Sequence, residues 1–393
     1  MIADNSSLPQ NDPFIISRIE CSVYRVPITK VVATSFGIMR DRPAVFVKLT
    51  DRDGAFGFGE IFANWPAAGA EHRARLLTED IADLVLGVEF ESPTDFFNKL
   101  ESQTHIRALQ CGEWGPFRHV IAGLDMAAYD LCARRKGLPL RKYLNEAANE
   151  TVPVYASGIH INRGAEMIGD CRQAGYTAFK VKIGFGHDND ITQLRSLCGS
   201  LSDGEQLFSD ANQAWGVSEA IKFAERMEGL PIGWLEEPLA ADAPFDDWQR
   251  LSEASSVPLA GGENMAGFSE FETAIKSQHF GVLQPDLAKW GGFTGCFQVA
   301  RAIIQAKIRY CPHFLGGGIG LLASAHLLAA AGFGERVDGR LEVDANPNPL
   351  RELFDLSISE GMMDLHESAG LGVEALPEAL LPYQTLSLTQ NET

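Results

Sequence analysis

Along the second half of the chain, eight ionisable side chains recur at nearly even steps. Lys180 and Lys182 stand in FKVKIG. Asp210 (FSDAN), Glu236 (WLEEP), Glu263 (AGGEN), Asp286 (LQPD), His313 (CPHF) and Glu342 (RLEVD) follow at intervals of 23 to 29 residues. Each closes or follows a short apolar run, and a charge buried without a partner is costly, so these groups must answer one another or a shared ion. Asp210, Glu236 and Glu263 offer only carboxylate oxygens, which suits a hard divalent cation, Mg2+, better than zinc. Taken singly, each acid could equally cap a helix or pair with an arginine; three in register beside Lys182 point to a metal. Lys180 and Lys182 lie two apart on a strand and share a face, while Phe179, Val181 and Ile183 make the other face apolar. Two adjacent ammonium groups near a metal disfavour each other's protonation, which predicts a lowered pKa for Lys182 and a usable base. A carboxylate such as Asp286 on one nitrogen of His313 would fix the tautomer and leave the other nitrogen for proton transfer.

The elements that must position these residues can be read from periodicity. From Thr151 short apolar strands alternate with loops and amphipathic helices: Val152–Ser157, Ala178–Ile183, Gln206–Asp210, Gly233–Glu236, Val257–Ala260, Gly281–Gln284, Ile308–Cys311 and Arg340–Val343. Eight strands over about 200 residues fit a closed parallel barrel with its site at the C-terminal strand ends, although an open doubly wound sheet alternates in the same way. Residues 14 to about 62 alternate as an antiparallel meander with a turn at Asp51–Gly54, and residues 70 to 145 change to a helical period. The expected organisation is a disordered tail (1–13), an α+β capping domain (14–145), a barrel (146–350) and a C-terminal segment (351–393) packing back on the cap. The uncharged stretch Phe314–Gly334 reads as a buried core helix rather than a membrane span.

With 33 Lys+Arg against 52 Asp+Glu the chain carries a net charge of −19, and no basic run reaches four residues, which argues against a nucleic-acid partner. The seven cysteines are odd in number and form no C-x-x-C pair, as expected of reduced thiols in a cytoplasmic protein. The first residues lack the basic and apolar segments of a signal peptide.

On these motifs the chain resembles the enolase superfamily, and specifically its mandelate racemase-like branch, over about residues 15 to 375. The shared features are K-x-K, D-A-N, E-E-P, G-E-N, Q-P-D-x-x-x-x-G-G (Gln284 to Gly292), P-H, the final L-E and Gly370-Leu-Gly-Val-Glu374. The resemblance implies an α/β fold: a modified (β/α)8 TIM-type barrel with an N-terminal α+β capping domain completed by the C-terminal segment. It implies Asp210, Glu236 and Glu263 as Mg2+ ligands and Lys182, beside Lys180, as one acid/base. His313 with Asp286 is then the other, and Glu342 a hydrogen-bond donor to the substrate carboxylate. Asp286 stands where another branch carries a second base Lys; Lys289, three residues on, is expected to point elsewhere. The implied chemistry is Mg2+-dependent removal of the proton α to a carboxylate through an ene-diolate, in the first place dehydration of a sugar acid. Racemisation or epimerisation, and lactone cycloisomerisation, are the alternatives; KVKIGFG and LEVDANPNP are also similar to galactarolactone cycloisomerases. A catalytically retired metal-binding barrel is the reading of another class.

Specificity in this family sits in the first-domain loops, here Val31–Arg40 and Ile61–Ala70, with Thr34, Ser35, Phe36, Asn64 and Trp65. Trp65, Asn212 and Gly317 are the expected substrate contacts. Gly316–Gly318 could open a helix whose free N–H groups hold a distal carboxylate or hydroxyl. Gly318-Ile-Gly320-Leu-Leu-Ala323 mimics a dinucleotide fingerprint, but the roughly fifty residues after Asp344 carry no clear βα units to complete that fold. The expected partners are a small-molecule carboxylate and further copies of the chain in a homo-oligomer, with no nucleic acid and no membrane.

Overall fold

The computed structural model describes residues 8–34, 37–332 and 339–392. Ser35 and Phe36 lie outside the described residues, as does the side chain of Thr34. The first elements are β1 (Phe14–Thr34), β2 (Gly37–Asp51) and β3 (Phe56–Ile61), an antiparallel meander. Its β2–β3 turn falls where the sequence places it, with Asp51 Oδ1 accepting the Ala55 N–H at 2.8 Å and Gly54 at a φ of 87°. Helices cover one face: α1 (Gly69–Leu76), α2 (Pro93–Cys111, after the short strand β4, Glu89–Phe90), α3 (Trp114–Arg135) and α4 (Leu140–Leu144). α2 starts on Ser92, whose hydroxyl accepts the Asp95 N–H, with Pro93 in the first turn, and it stops at left-handed Gly112. The buried helix α3 lies directly on β3, because Gly57 and Gly59 present no side chain. A Cβ there would stand 2.1 Å from the Ala127 carbonyl oxygen and 2.0 Å from that of Gly123.

The barrel follows as β5 (Thr151–His160), α5 (Gly164–Gln173), β6 (Ala178–Lys182), α6 (His187–Cys198), β7 (Gln206–Asp210), α7 (Val217–Arg226), β8 (Ile232–Glu236) and α8 (Phe245–Ala254). It continues through β9 (Leu259–Gly261), α9 (Phe268–Ser277), β10 (Val282–Leu283), α10 (Gly292–Gln305), β11 (Arg309–Tyr310), α11 (Gly318–Ala331), β12 (Leu341–Asp344) and α12 (Pro349–Glu352). All eight strands are parallel and neighbour one another from β12 through β5 to β11. Instead of the closed ladder expected, the β11–β12 seam is bridged by the Glu342 N–H to the Pro312 carbonyl at 3.4 Å. β11 is only two residues long, and Pro312 beyond it has no N–H to give. Phe208 and Trp234 stack at 3.5 Å inside the barrel with Tyr155 edge-on to both, filling the floor and leaving chemistry to the mouth.

Of the tail expected to be disordered, residues 8–13 are described, and Leu8 and Asp12 are buried; Asp12 accepts the Tyr143 hydroxyl at 3.1 Å. The C-terminal segment divides. β13 (Ile358–Ser359) and β14 (Met362–Asp364) form a hairpin whose second strand pairs with the start of β5 on the barrel. β15 (Gln384–Asn391) returns to the cap and pairs antiparallel with β1.

The uncharged run is α11, buried along its whole length; no helix among the described residues is long and apolar enough to cross a membrane. Inside it His326 accepts the Arg141 N–H through Nδ1 at 3.0 Å, and burial with the Arg141 charge pushes its pKa down to about 3. The unfolded chain therefore takes up a proton below about pH 6.5 that the folded chain refuses, so this stability is complete above that pH and is lost as pH falls. From pH 7.5 to pH 5 the wild type should lose about 2 kcal/mol relative to His326→Gln, which keeps an acceptor. Parallel urea melts of both proteins at the two pH values would show it, and an unchanged gap would refute it.

Candidate active site

Lys182, Asp210 and Glu236 lie abreast on β6, β7 and β8, paired residue to residue, because each strand ends at the same height before its loop. Lys180, buried one layer deeper, reaches Glu342 at 2.8 Å, Asp210 at 3.6 Å and, more closely, Glu236. Lys182 Nζ donates to Asp210 Oδ2 at 2.5 Å. Glu236 is further held by the Gln284 amide at 2.6 Å and the Trp234 indole N–H at 3.0 Å. Glu263, just past β9, meets Lys289 at 3.1 Å and His313 Nε2 at 3.0 Å. His313 Nδ1 faces Asp286 Oδ2 at 2.7 Å, and the other Asp286 oxygen accepts the Ala288 N–H, which fixes the carboxylate. All eight residues singled out by spacing thus meet at one buried mouth.

The protonation states follow from these contacts. Burial alone would lower the pKa of His313, but Glu263, Glu342 and the bond to Asp286 raise it to about 9, so both ring nitrogens carry protons. Asp210 and Glu342 would be raised by burial but are held below the usual carboxylate range, Asp210 by Lys182 and Lys180, Glu342 by Lys180 and His313. Burial pushes Glu236 and its neighbour Glu237 up to about 8, Asp210 and Glu342 adding to the shift at Glu236, and Glu263 and Asp210 at Glu237.

The same contacts correct three expectations and bear on a fourth. The pKa of Lys182 is raised, not lowered: burial and Lys180 work against its charge, but Asp210, Glu236 and Glu263 outweigh them. Lys289 does not point elsewhere; its ammonium binds Glu263 and the Asn264 side-chain oxygen and lies 5.2 Å over the Phe62 ring of the cap. Glu342 accepts from Ser157 and Lys180 through Oε1 alone, and its buried Oε2 has no hydrogen-bond partner in the protein. The Gly317 N–H is not free for substrate, because Glu60 of β3 takes it at 2.5 Å and the Gly320 N–H at 2.8 Å. Of the other two expected contacts, the Asn212 N–H binds Asp210 Oδ1 at 2.7 Å, and the Trp65 carbonyl is held by Arg73 at 2.9 Å. Asn64 spans the two domains, donating to the Leu315 carbonyl at 2.6 Å.

Spacing alone missed Glu237, Asn264 and Glu60. Glu237 accepts from Asn264 at 2.9 Å and Gln213 at 3.0 Å, tying together the loops that follow β7, β8 and β9. Each missed acid was visible as a carboxyl in or beside an apolar strand, Glu60 within FGFGEI and Glu237 within WLEEP.

Among the described residues no three His, Cys, Asp or Glu side chains are gathered into a ready-made metal cluster; Asp210, Glu236, Glu263, Asp286 and Glu342 are turned to cations of the chain itself, and Glu237 to the amides of Asn264 and Gln213. The donor set nevertheless fits a hard dication. Asp210, Glu236, Glu237, Glu263, Asp286 and Glu342 face Lys180, Lys182, Lys289 and protonated His313, so carboxyls outnumber cations by two and offer a metal oxygen atoms alone.

Fold and site together define a capped barrel that carries its ionisable groups at the C-terminal strand ends. The chain belongs to the enolase superfamily, in its mandelate racemase/muconate lactonizing enzyme branch. The family described as "Mandelate racemase / muconate lactonizing enzyme, N-terminal domain" matches residues 18–144, and "Enolase C-terminal domain-like" matches residues 165–379. The crystal structure of a mandelate racemase/muconate lactonizing enzyme from Bordetella bronchiseptica RB50 is 44% identical with a TM-score of 0.88, over 94% of this chain and 99% of that one. The D-galactarolactone cycloisomerase of Agrobacterium fabrum is 27% identical over 70% of this chain and 76% of its own. The L-talarate/galactarate dehydratase of Salmonella typhimurium is 28% identical over 84% of this chain and 79% of its own. Its structure liganded with Mg and L-lyxarohydroxamate has a TM-score of 0.83 at 25% identity, over 96% and 95% of the two chains. The relatives are thus enzymes, named for sugar-acid dehydration and cycloisomerisation and, further off, for racemisation and epimerisation.

Proposed function

We propose that this protein dehydrates a hydroxylated carboxylic acid of the sugar-acid class. The observation that carries this reading is that Lys182 on β6 and the pair of Asp286 beyond β10 and His313 beyond β11 flank the carboxylate set from different sides of the barrel. Asp210, Glu236 and Glu263 would hold a Mg2+, whose charge favours the negative charge that develops on the substrate carboxylate. Because those three carboxylates are what hold Lys182 protonated, their engagement by a dication would free its amine, which then takes the proton α to the substrate carboxylate, leaving an ene-diolate. His313, aimed by Asp286, gives its Nε2 proton to the β-hydroxyl, which leaves as water while the electron pair forms the new double bond. The enol so formed becomes a 2-keto acid by moving its hydroxyl proton to the β-carbon through solvent, the proton on Lys182 returns to solvent, and His313 regains one from it. The dehydratase and cycloisomerase relatives support a sugar acid or its lactone as substrate.

Incubation with Mg2+ and a panel of sugar acids, lactones and hydroxy or imino acids in D2O tests this. A keto acid should form and no stereoisomer should accumulate. Isomerised lactone would make the protein a cycloisomerase, exchange with inversion an epimerase, and tight Mg2+ binding without exchange on any member a retired barrel.

His313→Asn and Asp286→Asn should each lower turnover by about 10²-fold or more, and the double mutant should be no worse than the poorer single, since the pair acts as one unit. Additive losses in steady-state kinetics would count against the dyad.

A further inference from the structure

Glu60 closes β3 in the cap, 2% exposed, with its carboxylate inside the barrel's territory. Its two oxygens accept the Gly317 and Gly320 N–H groups at the start of α11, where a helix leaves donors without partners of its own. The segment between His313 and that turn is held both from the cap and from the start of α12. Asn64 of the cap binds the Leu315 carbonyl at 2.6 Å, and Asn348 binds that of Gly316 at 3.1 Å. The glycines let these groups close in: a Cβ on Gly317 would stand 2.7 Å from the Phe46 ring of β2, and one on Gly316 2.7 Å from Glu60 Oε1.

We propose that Glu60 is a positioning residue for His313. The cap supplies the carboxyl group that seats the N-terminus of α11, and through the short tether Phe314–Gly317 that contact aims the imidazole at the mouth. Glu60 itself touches no reacting atom. The contact that docks the cap thereby also sets the geometry of the acid, so cap seating and proton delivery are one event. The kinetic part of this inference rests on the acid role given to His313 above.

The variant of choice is Glu60→Gln, in which an NH2 group must face one of the two N–H donors, so that one bond is lost without a change of shape. Product formation should fall about tenfold to a hundredfold, the cost of a displacement of about 1 Å, with KM changed less. The Lys182-dependent exchange of the α-proton with D2O should persist, and Glu60→Gln should add nothing in a His313→Asn background. Independently of activity, the NMR signal of the His313 ring, assigned by its loss in His313→Asn, should shift or broaden in Glu60→Gln. An unmoved ring signal would overturn the proposal. So would equal losses of exchange and product accompanied by a lower melting temperature, the mark of a structural role only. Full turnover in His313→Asn would instead remove the acid role, and the ring signal would still decide the positioning.

Discussion

Lys182→Ala is expected to lose both turnover and exchange of the substrate α-proton with D2O, by about 10³-fold or more, within the range a positioned general base contributes. The side chain is held at the strand end by Asp210 and presented to the mouth, whereas Lys180 is buried among Glu236, Glu342 and Asp210 and cannot take its place. His313→Asn is expected to behave differently: exchange continues while product is lost, because abstraction and departure of the hydroxyl fall to different groups. In an epimerase each single mutant would instead keep exchange for one stereoisomer only, with the roles reversed. NMR of the substrate in D2O separates these outcomes in one experiment. Exchange surviving in the Lys182→Ala, His313→Asn double mutant would show that neither residue is the base and would end the mechanism proposed here.

Removal of divalent metal by a chelator should abolish activity, and Mg2+ should restore it. Asp210→Asn, Glu236→Gln and Glu263→Gln should each weaken Mg2+ binding by more than ~100-fold, since even residues that merely support a ligand are worth about 10- to 100-fold. Glu236→Gln is the most informative of the three. One oxygen of Glu236 already accepts from Gln284 and Trp234, and the other from Lys180, so an amide NH2 meets a donor on either side. It also removes one of the surplus carboxyls that make the mouth receptive to a dication. Titration calorimetry of the chelator-treated proteins with Mg2+ reads this without reference to any substrate. Full activity in excess chelator, or unchanged affinity in Glu236→Gln, would be fatal to the metal assignment.

Much of this was legible in the sequence, for physical reasons that can be named. Apolar runs bounded by glycine, proline and acids place the barrel strands, and β7 falls on Gln206–Asp210 as expected. The regular step between polar strand ends could be read because each βα unit costs a similar length of chain. Lys289 was misjudged because the chain turns directly after Asp286, whose carbonyl accepts the Lys289 N–H at 3.1 Å, and this brings the side chain back over the mouth. The pKa of Lys182 departs from the expectation because the sequence reading gives the charge of Asp210, Glu236 and Glu263 to a metal, whereas in the structure these carboxylates act on the lysine directly. Glu60 and Gly317 are 257 residues apart, and nothing in either local sequence marks them as partners.

The pairing of β15 with β1 has a consequence for how the molecule is made. Arg18 lies opposite Asn391 and Tyr24 opposite Gln384, so this stretch of β1 is paired along one edge by residues synthesised after the whole barrel. Such pairing carries the loop-closure cost of nearly the entire chain and belongs to the slow, late part of folding. During synthesis, β1 would therefore leave the ribosome with that edge bare. In that interval its unpaired N–H and C=O groups are open to other chains, which makes this edge the point where a stalled or slowly translated copy is most exposed to misassembly.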